Sequence, residues 1–198
     1  PVWSEAHFKL LDKSFALLSP LAAKTLYVTG IRRTHFGNEH AMIRWFREAD
    51  GGLSPDFSVL EKYLDVATRH LGKVPGVILY LWEPLNYGMN IHAGEGKTQD
   101  RNIFITVVDK ATGALSEAEG PAWGTAECKA FWKKLTDGIG PVLKKRGLEN
   151  PVLLGLMSDY RPTKQAMDDI GNGLPGAKWA SHSHFRVDKW QGHDIGFS

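Results

Sequence analysis

Four short apolar segments constrain the fold of this chain more than any other feature of its sequence. Glycine, proline or polar residues bound each segment, and none alternates polar with apolar positions as a half-exposed strand does. Strands that are apolar on both faces are typical of parallel sheets covered by helices. The predicted strands are TLYVT (25–29), VILYLW (77–82), VLLGLM (152–157) and AKWAS (177–181).

Helical patterns precede these strands. Apolar residues recur at spacings of three and four along four stretches, as they do on the buried face of an amphipathic helix. Helices that alternate with buried strands predict an α/β fold built from parallel β/α units. The predicted helices cover about residues 4–18, 58–71, 125–146 and 162–170.

The two longest connections, residues 30–57 and 84–122, are each predicted to contain a β-hairpin. One hairpin surrounds MIRWFREADGG, and in the other IFITVV turns at DKATG. Both insertions follow the carboxyl end of a strand, which in an α/β barrel is the face that carries the substrate loops.

The number of β/α units predicts about half of a TIM-type barrel, with a small open-sheet domain as the alternative. An eightfold barrel usually needs about 250 residues, whereas this chain has four units in 198 residues. The outer strands of half a barrel have unpaired edges. We therefore expect residues 1–198 to be a single, partial catalytic domain whose edges are covered by the remainder of a longer chain or by a partner.

Composition excludes several classes of partner. The net charge is only +2 and the basic residues are dispersed, so we expect no nucleic-acid binding. No stretch is apolar enough to span a membrane, and we expect no membrane partner and no cofactor. The single cysteine, Cys128, excludes an internal disulfide and a cysteine-based metal cage.

Polar and aromatic side chains follow all four predicted strands, in residues 29–35, 82–83, 158–161 and 181–184. Each alone has an ordinary interpretation: Asp159 as the cap of the next helix, Trp82 as packing, Arg32 as a surface charge. Parallel strands, however, bring their four carboxyl ends onto one rim. Their coincidence there favours a functional site.

Glycoside hydrolysis suits such a rim. Cleavage of an acetal needs a carboxylic acid that protonates the leaving oxygen and a second group that stabilises or traps the oxocarbenium-like transition state. We predict Glu83 as the general acid, because an apolar neighbour raises a carboxyl pKa, and Asp159 as the second carboxylate. The predicted sugar platforms are Trp82, Tyr87 and Tyr160, and the predicted hydrogen-bonding groups are Arg32, His35, Arg161, His182 and His184.

Two alternatives remain at this stage. A non-catalytic sugar-binding barrel would keep the aromatic residues without the activity. A metal-dependent hydrolase would use His182-x-His184, which Asp159 and His35 could complete as a zinc site. We expect no bound metal, since a third ligand must come from a distant segment and imidazoles also hydrogen-bond to neighbouring rim groups.

Most of the chain resembles bacterial barrel domains related to glycoside hydrolase family 123. The resemblance rests on WFREADG, DFSVLEKYLDVATRHLG, VILYLWEP, GLMSDYRPT and KWASHSH. It implies a (β/α)₈ barrel that removes N-acetylgalactosamine-type sugars, with the substrate's acetamido group as nucleophile and an adjacent Asp-Glu pair at a strand end.

Glu83-Pro84 matches the glutamate of that pair and the proline that often follows it, whereas Trp82 stands where the family has the aspartate. Asp159 on the neighbouring strand is the candidate replacement. The resemblance also implies a carbohydrate substrate, a role in polysaccharide degradation and a periplasmic or secreted location. The sugar, the linkage and the stereochemical outcome stay open.

Overall fold

The computed structural model describes residues 1–21, 25–83, 100–156, 159–184 and 186–197. The α-helices are α1 (Glu5–Leu18), α2 (Ser58–Leu71), α3 (Ala126–Lys144) and α4 (Lys164–Gly171), and a short 3-10 helix covers Ser19–Leu21. The strands are β1 (Thr25–Thr29), β2 (Arg44–Arg47), β3 (Leu53–Asp56), β4 (Gly76–Tyr80), β5 (Phe104–Val108), β6 (Leu115–Glu119), β7 (Val152–Leu156), β8 (Lys178–Ser181), β9 (Lys189–Trp190) and β10 (His193–Phe197).

The main sheet has six strands in the order β1-β4-β7-β8-β10-β9. The first five are mutually parallel, and β9 pairs antiparallel with β10. This confirms the prediction of adjacent parallel strands separated by helices. Strands β9 and β10 were not predicted from the sequence. Within the described ranges β1 and β9 are edge strands, so the sheet is open and forms no closed barrel.

Both predicted hairpins are present, as β2 with β3 and β5 with β6. A parallel pairing of β2 with β5 joins them into one four-stranded sheet, which the sequence did not predict. This second sheet packs against α3 through Trp45, whose ring stacks on Phe131 at a centroid distance of 4.0 Å. The two insertions therefore form one layer beside the main sheet.

The helices begin where polar side chains can satisfy their free backbone N–H groups. The Thr125 hydroxyl accepts from the Cys128 N–H at the start of α3, and the Thr163 hydroxyl accepts from the Ala166 N–H at the start of α4. Leu60 of α2 and Trp132 of α3 are fully buried in the core. No helix in the described part of the chain is both long and apolar enough to cross a membrane.

One predicted strand is shorter than its apolar run. We predicted residues 77–82, but β4 ends at Tyr80. Its ladder with β1 ends at the Thr29–Tyr80 pair, after which the Gly30 N–H still donates to the Tyr80 carbonyl at 2.9 Å. Leu81 and Trp82 are buried beyond the last strand pair, and they lead the chain to Glu83.

Candidate active site

Glu83 lies three residues beyond β4, and its side chain is buried although it is acidic. The residue is only 4% exposed. One carboxyl oxygen, Oε2, accepts the His35 backbone N–H at 3.0 Å. The other, Oε1, is buried and has no hydrogen-bond partner within the described ranges. Burial raises the pKa of Glu83 to about 7, against the lowering effects of the His35 hydrogen bond and the charge of Arg101.

Trp82 is buried beside Glu83 and is tied to Asp100. Its indole N–H donates to Asp100 Oδ1 at 3.0 Å, and the residue is 2% exposed. The Thr163 N–H donates to Asp100 Oδ1 at 3.0 Å, and the Thr163 hydroxyl donates to the other carboxylate oxygen. Asp100 therefore links the end of β4 to the start of α4.

Trp82 as a whole is 2% exposed, which does not favour its predicted role as a sugar platform. Its apolar surface lies in the core because the apolar run of β4 continues through it. In this structure Trp82 holds the backbone beside Glu83 in place.

Asp159 lies three residues beyond β7, and two groups of His184 hold its carboxylate. The His184 N–H donates to Oδ1 at 2.8 Å, and its ring Nδ1 lies 2.8 Å from Oδ2. Burial raises the pKa of Asp159, but the hydrogen bonds from His184 outweigh it, so the pKa lies below its ordinary value. Asp159 is therefore ionised at neutral pH.

Arg161 and its neighbours extend the site from Asp159 towards the end of β8. Arg161 is buried, and its Nη2 donates to the Ser183 hydroxyl at 3.0 Å. Burial lowers the pKa of Arg161, while the charge of Asp159 opposes that shift. Tyr160 is half-buried, and His182 is exposed with its N–H donating to the Leu156 carbonyl at 2.8 Å.

On the other side of Glu83, Arg32 and His35 lie in the segment after β1. His35 contacts Glu83 through its backbone, and its ring is exposed. Arg32 Nη1 lies 3.4 Å from Glu117 Oε2, so this arginine pairs with a residue of the second sheet. The Arg32 N–H also donates to the Phe104 carbonyl at 2.7 Å.

The sheet topology brings the two predicted carboxylates to the same edge. β4 and β7 are parallel neighbours in which Leu79 is paired with Leu154. Glu83 and Asp159 each follow the last residue of their strand by three positions, so both lie at the carboxyl edge of the sheet. Tyr87 falls outside the described residues. Among the described residues, no group of three or more His, Cys, Asp or Glu side chains is arranged to hold a metal.

Two residues of this site escaped the sequence analysis. Asp100 and Arg101 belong to the long insertion between β4 and β5 and do not follow a strand of the main sheet. Arg101 nevertheless interacts electrostatically with Glu83. The one signal in the sequence that could have indicated these residues is their position just before the predicted IFITVV strand, as a pair of charged residues.

Comparisons with known proteins relate the chain to glycosidases. The family model "Glycoside hydrolase 123, catalytic domain" matches residues 1–188. No curated protein matches the sequence significantly. One similar solved structure is a family 123 glycoside hydrolase from Clostridium perfringens, described in a study of glycolipid glycan hydrolysis. It superposes with a TM-score of 0.64 at 17% identity, over 99% of this chain and 34% of that one. This chain thus spans about a third of that enzyme's length.

Proposed function

The chain belongs to glycoside hydrolase family 123, and from that premise we propose that it forms part of an enzyme that hydrolyses glycosidic bonds in oligosaccharides or polysaccharides. Glu83 is the general acid in this proposal, and Asp159 is the second carboxylate. The observation that carries the proposal is the buried carboxyl group of Glu83, which has one oxygen without a partner in the described part of the chain.

The surroundings of Glu83 suit a proton donor. A general acid works best when its pKa lies near the working pH, and burial raises the pKa of Glu83 to about 7. Because Oε2 accepts the His35 N–H, the proton of the neutral acid belongs on Oε1. That oxygen has no hydrogen-bond partner among the described residues, so no described group competes with the leaving-group oxygen of a glycoside for its O–H.

The surroundings of Asp159 suit the opposite role. Its hydrogen bonds with His184 hold the carboxylate ionised. A fixed negative charge stabilises the oxocarbenium-like transition state or activates the group that attacks it. Arg161, whose Nη2 donates to Ser183, and the exposed rings of His35 and His182 are the groups we propose to bind sugar hydroxyls. Among the described residues, Tyr160 is the half-buried aromatic candidate for sugar contact.

Glu83→Gln in the full-length protein tests the assignment. The amide keeps the shape and can still accept the His35 N–H, but it cannot donate a proton as an acid does. We expect kcat/KM to fall by roughly 10² to 10⁴ on glycosides with poor leaving groups. The loss should be much smaller on activated aryl glycosides, which need little protonation.

Glu149→Gln is the matched control, because Glu149 is exposed and precedes β7 at the opposite edge of the sheet. It should leave both activities unchanged. Full activity of Glu83→Gln on an unactivated glycoside would remove Glu83 from the mechanism. Sugar binding without any hydrolysis by the wild-type protein would favour the non-catalytic alternative.

We also propose that the main sheet is about half of a (β/α) barrel. Side chains alternate across a strand, so Tyr27 of β1 and Ile78 and Tyr80 of β4 lie on the face opposite to the helices. The Tyr27 and Tyr80 rings stack there at 5.9 Å. A barrel would enclose this apolar face and pair the open edge of β1. In a structure of the full-length protein we expect a further strand on β1, and an unpaired β1 there would contradict the proposal.

A further inference from the structure

Two arginines near Glu83 pack on the ring of Phe104, and a third contacts the Phe104 backbone. Arg33 and Arg101 place their guanidinium carbons 4.9 Å and 5.5 Å from the centre of the Phe104 ring. Arg101 Nη2 donates to the Arg33 carbonyl at 2.8 Å, and the Arg32 N–H donates to the Phe104 carbonyl. We refer to Arg32, Arg33 and Arg101 as the arginine cluster.

The positive charge of the arginine cluster exceeds the negative charge in contact with it. Within the described ranges, Glu117 is the one carboxylate that forms an ion pair with the arginine cluster. Its oxygens lie 3.4 Å from Arg32 Nη1 and 2.8 Å from Arg33 Nη2. Glu83 interacts with Arg101 over a longer range, and a Glu83 that acts as an acid is neutral when it does so. The three guanidinium groups of the cluster therefore have one ionised carboxylate, that of Glu117, in contact with them.

Two N–H donors of the arginine cluster also have no hydrogen-bond acceptor among the described residues. Arg32 Nε and Arg101 Nε are buried and find no acceptor in the part of the chain that the structure describes. Buried donors in folded proteins nearly always have a partner.

From these contacts we infer that the arginine cluster binds an anionic substituent, a carboxylate or a sulfate, on the sugar that is held at Glu83. The inference rests on the proposed function, because it assigns a substrate class to the same site. Guanidinium groups recognise carboxylate and sulfate oxygens through paired, charge-assisted hydrogen bonds. A neutral hydroxyl could occupy a free Nε, but it would leave the excess positive charge uncompensated.

Binding measurements on paired sugars test the inference without requiring turnover. The probes are galactose, galacturonate and galactose 6-sulfate, titrated into full-length Glu83→Gln protein. We expect each anionic member to bind roughly tenfold or more tightly than galactose, with a preference that weakens as salt is added. The galacturonate and sulfate arms then distinguish the two anionic groups.

Arg101→Gln should weaken anion binding at least tenfold more than galactose binding. Arg101→Lys keeps the charge but loses the planar fork, so it should retain part of the preference. Arg69→Gln is the matched control, since this exposed arginine of α2 pairs with Asp12 away from the carboxyl edge. If Arg101→Gln fails to fold, Arg33→Gln replaces it, because that side chain is 56% exposed.

The outcomes separate the inference from the function on which it rests. Equal binding of charged and neutral sugars, or a preference that survives both arginine variants, would overturn the inference while hydrolysis by wild-type protein still supports the proposed function. An arginine-dependent preference in a protein that cleaves no glycoside would support the anion site and contradict the glycosidase.

Discussion

The ends of β4 and β7 carry the same kind of group in opposite surroundings. Both strands are parallel neighbours, and both place a carboxyl group three residues beyond the last strand residue. Glu83 is buried with one oxygen unpartnered among the described residues, and its pKa is raised to about 7 by burial. Asp159 has both oxygens in contact with His184, and its pKa is lowered.

Surroundings, rather than residue type, shift the pKa values of these two carboxyl groups in opposite directions. Pairs of titratable groups whose pKa values are pushed apart mark an acid and a base. Here burial favours the neutral form of Glu83, and the hydrogen bonds from His184 favour the ionised form of Asp159, which suits the roles that we propose for them. Glu83→Gln changes the first of these carboxyl groups, and Asp159→Asn and His184→Ala change the second or its surroundings.

The largest effect is expected from Asp159→Asn. The amide keeps the size of the side chain but removes the charge that is proposed to stabilise the transition state. We expect kcat/KM to fall by roughly 10² to 10⁴, to a similar extent on activated and unactivated glycosides, because this role does not depend on leaving-group protonation. Glu83→Gln, in contrast, should lose more activity on unactivated glycosides than on activated ones. The same ratio of losses in both variants would contradict the separate roles that we propose for Glu83 and Asp159.

The strand ends were more predictable than the loops that cross them. Apolar runs and their flanking residues were sufficient to predict the parallel order, both hairpins and the positions of Glu83 and Asp159. Periodicity says nothing about contacts between distant segments. The pairing of β2 with β5, the link from Trp82 to Asp100 and the proximity of Arg101 to Glu83 depend on how two long insertions fold onto each other.

The exposure of aromatic side chains at the strand ends was also difficult to predict from the sequence. An aromatic residue next to a catalytic-type glutamate is typical of a sugar platform, yet Trp82 is buried. Its position after an apolar run was compatible with both outcomes. The structure distinguishes the two outcomes, because it shows that Trp82 is buried and that its indole N–H donates to Asp100.

The second effect concerns stability, where the two carboxyl groups should show opposite dependence on pH. Because the pKa of Glu83 rises from 4.5 to about 7 on folding, its contribution is fully present below pH 4.5 and is lost as the pH rises through 7. Glu83→Gln should therefore gain free energy of unfolding relative to wild type between pH 4.5 and pH 8, by up to about 3 kcal/mol.

Asp159→Asn should behave in the opposite way. The lowered pKa of Asp159 means that its contribution is present above its ordinary pKa and is lost as the pH falls through the folded-state value. The variant should lose stability at neutral pH and approach wild type in acid. Chemical denaturation of both variants across this range measures the two slopes, and slopes of the same sign would contradict the assigned pKa directions.

The smallest effect is expected from His184→Ala, which weakens one side of the contrast without removing a carboxyl group. The ring contact with Asp159 is lost, but the backbone N–H of residue 184 still donates to Oδ1. The side chain of His184 is 85% exposed, so water screens its interaction with Asp159. The pKa of Asp159 should rise only part of the way towards its ordinary value.

The acid limb of kcat/KM against pH should therefore move to higher pH, with roughly threefold or smaller loss at neutral pH. His193→Ala is the matched control, because His193 pairs with Asp168 of α4 in a similar contact at 3.2 Å. That variant should leave the pH profile in place. A large increase in KM for His184→Ala with an unmoved acid limb would instead identify the ring as a sugar ligand, since losing a substrate contact leaves the pKa of the free enzyme's carboxylate unchanged.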